Sequence, residues 1–447
     1  MTVHLEEHLD YRKIFHAAYA PILMMVFASL YTIVDGVFVS GFAGADAFAG
    51  LNLVFPFYSV LGSVGFMFGA GGSALVSKTL GEKNKDRANG LFSMLIYFSI
   101  LLGIVLGIAG FFSVEPFVYW MASLSKDGAN EGMVSQGILY GRIVCSGIVL
   151  MMLQYVFQSF FLTNEKPKLG FLAIVGAGLT NIVLDALFVA VFKWGIAGAA
   201  IASLIGQGFA TVFPLIYFAA TKNNILVLGK PIWDFKALGQ MAWNGASEFV
   251  SNISSAIVGF CYNAQLLLYL GQDGVAAYGI VMYVSFIFMA IFIGYSTSMA
   301  PFIGYQFGAG NKNELRSILR KSFLLIGVAG LVMFGLCQAL AEPLSGLLSS
   351  GSQELKEIAT NANRIYAFVY LTAGFTIFMS SYFTSLNNGT TSAVISFFRS
   401  AAELACVFLI PLWLEVNGIW SSACFAEIAS TAMMLFFLFF EKKRYGY

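Results

Sequence analysis

The sequence predicts an all-α polytopic membrane protein: twelve transmembrane helices in two six-helix bundles related by a pseudo-twofold axis. Three observations predict it. Of 447 residues, 59% are hydrophobic and only 11% charged, against about 25% charged in an average soluble domain. The apolar residues form continuous runs, not the alternating pattern of a membrane barrel. Two polar-punctuated stretches of the first half recur in the second half.

Taken in order, the spans are expected at about 14–40, 50–77, 91–113, 136–163, 169–192, 195–220, 238–270, 275–305, 320–341, 362–386, 391–414 and 418–440. Several exceed the roughly 20 residues that cross a bilayer, so those helices tilt or project beyond it. The leading MTVHLEEHLDYRK lacks the basic region and cleavage site of a signal peptide, so the first span is expected to be retained. If the N-terminus is cytoplasmic, the opposite side carries only Lys126, Arg142, Lys193, Lys356 and Arg364 of the 24 basic residues, and Arg399 falls within a span. The remaining eighteen are cytoplasmic, a strong positive-inside bias that places both termini in the cytoplasm.

A shift of 227 residues sets GADAFAGLNLV (44–54) on GQDGVAAYGIV (271–281) and LGEKNK (80–85) on FGAGNK (307–312). The halves are therefore expected as an N-terminal lobe, 1–220, a linker, 221–236, and a C-terminal lobe, 237–447. Six spans per half is an even number, so the halves share one topology and their axis runs along the membrane normal. Asp46 and Asp273 are expected to cap the helices that follow them. Gly81 and Gly308 are expected to end long helices before a basic turn.

Six ionisable residues fall within spans: Asp35, Asp185, Glu248, Arg399, Glu403 and Glu427. Each costs about 2.5–3.5 kcal/mol or more at mid-bilayer depth and needs a partner, water or a proton. Tyr31 lies one turn from Asp35, Asn181 one turn from Asp185, and Ser203 near the same depth in the sixth span. Carboxylate, amide and hydroxyl oxygens are hard ligands, suited to Na+ or to a shared proton. Glu248, at the start of the seventh span, is read as a binding or gating group, or else a local polar cap. Arg399 and Glu403, four residues apart, are expected to neutralise each other, with a substrate or gating role as the alternative. Glu427 bonds within its helix or faces a crevice.

Pro21 and Pro301 interrupt spans that neighbouring helices must support. The 45 Phe, 17 Met and 20 Tyr residues offer a lining for flat apolar cations. The net charge of +1 argues against a nucleic-acid partner. The five cysteines sit in apolar runs without metal-ligand spacing and read as small buried residues. No histidine lies deep in a span and no nucleophile–base spacing appears, so an enzyme is not expected.

SLYTIVDGVFVSGFAG (29–44) resembles the first-helix signature of the multidrug and toxic compound extrusion (MATE) family. NIVLDALFV resembles its fifth helix, and SEFVSN, GVAAYGIV and APFIGYQFGAGNKN its seventh and eighth; the last two are similar to a bacterial drug-exporting branch, which implies a bacterial cell membrane. The resemblance implies a monomeric V-shaped antiporter of the cell membrane, exporting organic cations in exchange for H+ or Na+ without a cofactor. It places the coupling site on Asp35, Asn181 and Asp185, with Ser203 and Tyr31, and C-lobe coupling on Glu248. Thr32, Thr297 and Ala300 depart from the residues usual in that branch. The alternative is a flippase for a lipid-linked or amphipathic metabolite, which favours a strongly cationic cleft.

Overall fold

The structure, a computed structural model, describes residues 3–123, 130–349 and 352–446. Lys126 lies outside them. Among the described residues the chain is helical throughout, with no strand.

Asp10 caps the first helix by accepting a hydrogen bond from the Lys13 amide at 2.7 Å. Helix α1 (Tyr11–Phe38) then runs into a π-helical turn, Val39–Ala43. Next come α2 (Ala45–Gly81), α3 (Lys85–Ser123), α4 (Glu131–Ser146), α5 (Ile148–Thr163) and α6 (Pro167–Asp185). A second π-helical turn, Ala186–Val191, extends α6, and α7 (Gly195–Ala220) closes the first half. The second half contains α8 (Phe235–Asn244), α9 (Ala246–Gly308), α10 (Lys312–Leu348), α11 (Gln353–Tyr366), α12 (Ala373–Ser385), α13 (Gly389–Leu409) and α14 (Pro411–Tyr445). Positive φ at Gly271 splits α9 into two spans. A 55° bend makes α4–α5 one broken span, and a 41° bend does the same for α11–α12. Among the described residues twelve crossings result.

Some expected boundaries were wrong. The seventh span begins at Ala246, not near 238: Asp234 caps a separate short helix, α8, which ends at Gly245. A Cβ on Gly245 would strike the Met67 carbonyl, so the elbow can pack there only as glycine. Asp46 and Asp273 are not caps. Gly44 and Gly271, at φ 97° and 63°, make the turn, and each aspartate sits in the helical turn that follows. Asp46 instead accepts from Asn130 at 3.1 Å.

The repeat is visible in packing. A Cβ on Gly81 would meet the Tyr305 carbonyl of α9, and one on Gly308 would meet the Lys78 carbonyl of α2. The 227-residue shift exchanges these two contacts, as a pseudo-twofold axis between the helices requires. Bare glycines let the two backbones touch. Gly71 against Met241 and Gly294 against Pro21 and Ile22 add further close approaches. These crossings lie in the parts of the helices nearer the chain termini, so the seam between the two bundles is closed on the terminal side.

Residues 3–10 reinforce that closure. The Leu5 amide donates to Glu165 at 2.6 Å, while the Leu9 amide donates to Glu314 at 2.8 Å. His4 and His8 pair with the same two carboxylates. Glu165 belongs to the α5–α6 turn and Glu314 to α10, so one short segment straps both halves. Outside the seam the bundle turns apolar residues outward: Phe112, Leu268 and Trp413 are 73%, 74% and 74% exposed, a surface suited to lipid.

Candidate functional site

Asp35 and Asp185 lie just before the two π-helical turns. These turns pack against each other. Such turns widen the helix by one residue and recur at functional sites. They bring α1 and α6 together so that the two carboxyl groups face each other. Asn181 lies beside Asp185 and donates to Ser203 of α7 at 3.4 Å. Asp185 is fully buried and Asn181 is 4% exposed.

Four oxygens of this cluster are unpaired. Asp35 Oδ1, both carboxylate oxygens of Asp185 and Asn181 Oδ1 are buried with no donor within hydrogen-bonding distance. A buried carboxylate without partners is costly, and two side by side repel. A positive ion or a shared proton removes both penalties.

The cluster borders a cavity of about 400 Å³. Tyr31, Asp35, Asn181 and Ser203 line it, while Asp185 sits behind them. Sequence reasoning missed several of its residues. Gln154 of α5 faces the Tyr31 hydroxyl, and Gln207 of α7 donates to the Tyr58 hydroxyl at 2.7 Å. The Oε1 atoms of both glutamines are buried and unpartnered. Two uncharged amides within apolar spans were the available signal; the search for ionisable groups passed over them. Tyr140 and Tyr155 add aromatic walls, and Asn252 and Tyr283 of α9 close the cavity from the second half. None of the described lining residues is Lys, Arg or His.

Glu248 is not part of this cluster. It lies in the first turn of α9 and lines a smaller inter-lobe space of about 120 Å³ with Thr297 and Ala300.

Arg399 forms its ion pair with a carboxylate other than Glu403, contrary to expectation, while still attracting Glu403 electrostatically. Its Nε pairs with Glu427 of α14. Glu427 also accepts from Thr376 of α12 at 2.8 Å. The i,i+4 spacing within α13 lost to a carboxylate on the facing helix, which is 3% exposed and already held by a hydroxyl. Glu403 turns toward Tyr262 instead.

A family model described as MatE matches residues 21–187 and 249–409, one segment in each half. The multidrug export protein MepA of Staphylococcus aureus (strain NCTC 8325 / PS 47) is 22% identical over 436 residues, 97% of this chain and 94% of that protein. MepA of Staphylococcus haemolyticus (strain JCSC1435) is 21% identical over 99% and 96%. A structure described as the outward-facing conformation of a multidrug resistance MATE family transporter superposes with a TM-score of 0.90, covering 98% of this chain and 97% of its own at 19% identity. A MOP superfamily transporter from Pyrococcus furiosus, described as having a binding pocket of reverse polarity, also gives 0.90, covering 98% of each chain at 18% identity.

Proposed function

The chain belongs to the MATE family of transporters, and on that premise we propose that it exports organic, cationic amphipathic compounds in exchange for H+ or Na+ by alternating access. One observation carries the reading. Acceptor oxygens of Asp35, Asn181 and Asp185 are buried, unpaired and set behind a cavity whose lining holds no basic side chain. A visiting cation is the species this arrangement lacks. The MepA relatives are described as multidrug export proteins, which supports the substrate class. The same cavity weighs against a lipid-linked pyrophosphate, whose charge calls for a cationic surround.

With the basic terminal side assigned to the cytoplasm, the glycine seam and the 3–10 strap close the inner face. The cavity then opens outward. A cation arriving from outside binds between Asp35 and Asp185 and neutralises them. The carboxylates no longer attract a cationic substrate, which leaves outward past Tyr31 and Tyr58. The lobes then rock about the seam and release the ion inside. One inward charge across roughly 150 mV supplies about 3.5 kcal/mol. At 1.4 kcal/mol per decade this sustains a gradient of a few hundredfold for a compound with no net charge. For a monovalent cation the electrical term cancels, and the chemical gradient of the ion drives exchange.

The test is drug efflux from proteoliposomes under an imposed H+ or Na+ gradient. Asp35→Asn is expected to abolish the response to the ion gradient. Undiminished coupled efflux rejects the mechanism.

A further inference from the structure

Where the seam reaches the terminal face, a cavity of about 480 Å³ lies beneath the 3–10 strap, and the transport reading leaves it unused. The α2–α3 turn supplies Lys83 and Lys85, the α5–α6 turn Asn164 and Lys166, and the segment after α7 Asn224. Tyr305 of α9 lines it from the other half.

Two of its three asparagines, Asn164 and Asn224, are the informative residues. Asn164 is 1% exposed and Asn224 7% exposed. Asn164 Oδ1 accepts the Leu226 amide at 3.0 Å, and Asn224 Oδ1 accepts the Tyr217 hydroxyl at 3.0 Å. These bonds occupy the oxygen ends of both side chains and leave the NH2 ends. Both Nδ2 atoms are buried with no hydrogen-bond partner. Each such donor costs about 1–3 kcal/mol if left dry.

The surrounding charge has a definite sign. Both acidic groups of the cavity are committed. Glu165 is taken by the Leu5 amide and His4. Glu6 pairs with Lys83 at 3.4 Å, and Lys83 also donates to the Tyr305 hydroxyl at 2.7 Å. Lys85 reaches only the Asn224 carbonyl, at 3.3 Å. Among the described ion pairs neither Lys85 nor Lys166 has a carboxylate. Helix α6 also starts here, with Lys166 at a cap position that makes no side-chain hydrogen bond, so its positive end is unanswered.

We propose that this cavity binds a phosphate group, carried by a soluble phosphate ester or by an anionic phospholipid headgroup. Two amide donors and two uncommitted ammonium groups match its oxygens. The volume exceeds that of bare phosphate and leaves room for the esterified part. Because the strap and Tyr305 also line the cavity, a bound phosphate steadies the closed terminal side.

The experiment titrates the purified full chain in phosphatidylcholine nanodiscs with inorganic phosphate, following the melting temperature. A parallel arm replaces part of the phosphatidylcholine with phosphatidylglycerol. A saturable rise with phosphate supports the site and points to soluble esters; a rise confined to phosphatidylglycerol supports it and points to the headgroup. Lys85→Ala and Lys166→Ala, both at exposed positions, are each expected to weaken half-saturation about tenfold. Asn164→Asp keeps the acceptor for Leu226 and is expected to abolish the response. Lys230→Ala, outside the cavity, leaves it intact. The proposal is overturned if neither probe gives a saturable rise. It is equally overturned if the Lys85 and Lys166 variants, folded as judged by an unchanged melt without ligand, respond like wild type. The readout is binding, so its result is independent of coupling at Asp35.

Discussion

The two halves solve the same electrostatic problem in opposite ways. The 227-residue shift sets Asp35 on Tyr262. With Gly195–Ile196 placed on Gly418–Ile419, Ser203 falls on Ala426, next to Glu427, and Thr180 falls on Glu403. The acidic positions themselves do not coincide, but both halves gather buried acidic groups among the same corresponding helices. In the second half, Arg399 and Thr376 satisfy Glu427 from within the chain. In the first half, among the described ion pairs, no basic side chain answers Asp35 or Asp185, and Asp35 Oδ1 and both Asp185 oxygens are buried without a partner. A repeated scaffold thus holds one buried carboxylate, Glu427, with a fixed basic partner, and another pair that has none. We read the first as framework and the second as machinery.

The largest effect should come from removing the open charge. Asp185→Asn is expected to reduce ion-driven accumulation in proteoliposomes to equilibrium; for a test compound with no net charge and roughly 150 mV imposed, that is the loss of up to a few hundredfold, about 3.5 kcal/mol of coupling. Retained accumulation breaks the comparison on the N-lobe side.

Next comes the closed charge. Glu427→Gln strands the Arg399 guanidinium and should cost about 3–5 kcal/mol of stability, read as a lower melting temperature. Replacing both residues by leucine should recover most of it, because an apolar pair often substitutes for a buried ion pair. Asp35→Asn should show the opposite sign, leaving the ion-free protein as stable as wild type or more so. If both acidic substitutions destabilise alike, the two clusters are not different in kind.

The seam itself should behave symmetrically. Gly81→Ala and Gly308→Ala each press a Cβ onto a partner carbonyl, at about 1–3 kcal/mol. Both should open the terminal side to a similar extent, measured by spin-label distances across it. An effect from one glycine alone denies the pseudo-twofold contact.

The smallest effect is expected at Ser203. Its bond from Asn181 is long, 3.4 Å, so Ser203→Ala should cost less than about 1 kcal/mol and shift ion half-saturation by less than about fivefold. A larger shift would make Ser203 a direct ion ligand.

Much of this was legible in the sequence, for identifiable reasons. Long apolar runs gave the spans, because lipid permits few alternatives to helix. The aspartates stood out because a carboxylate in such a run is rare. What stayed hidden depended on facing elements. Sequence spacing suggested Arg399 with Glu403, yet only the fold shows that α14 presents Glu427 to the same guanidinium. Gln154 and Gln207 carry no charge and converge on the site only after α5 and α7 pack. The caps at Asp46 and Asp273 failed because glycines with positive φ had already made those turns.

The contrast between the clusters can be measured directly as carboxyl infrared difference spectra on adding Na+ or changing pH. The account predicts a carboxyl signal in the wild type that disappears in Asp35→Asn and survives in Glu427→Gln. A signal that persists without Asp35, or vanishes with Glu427, would contradict it.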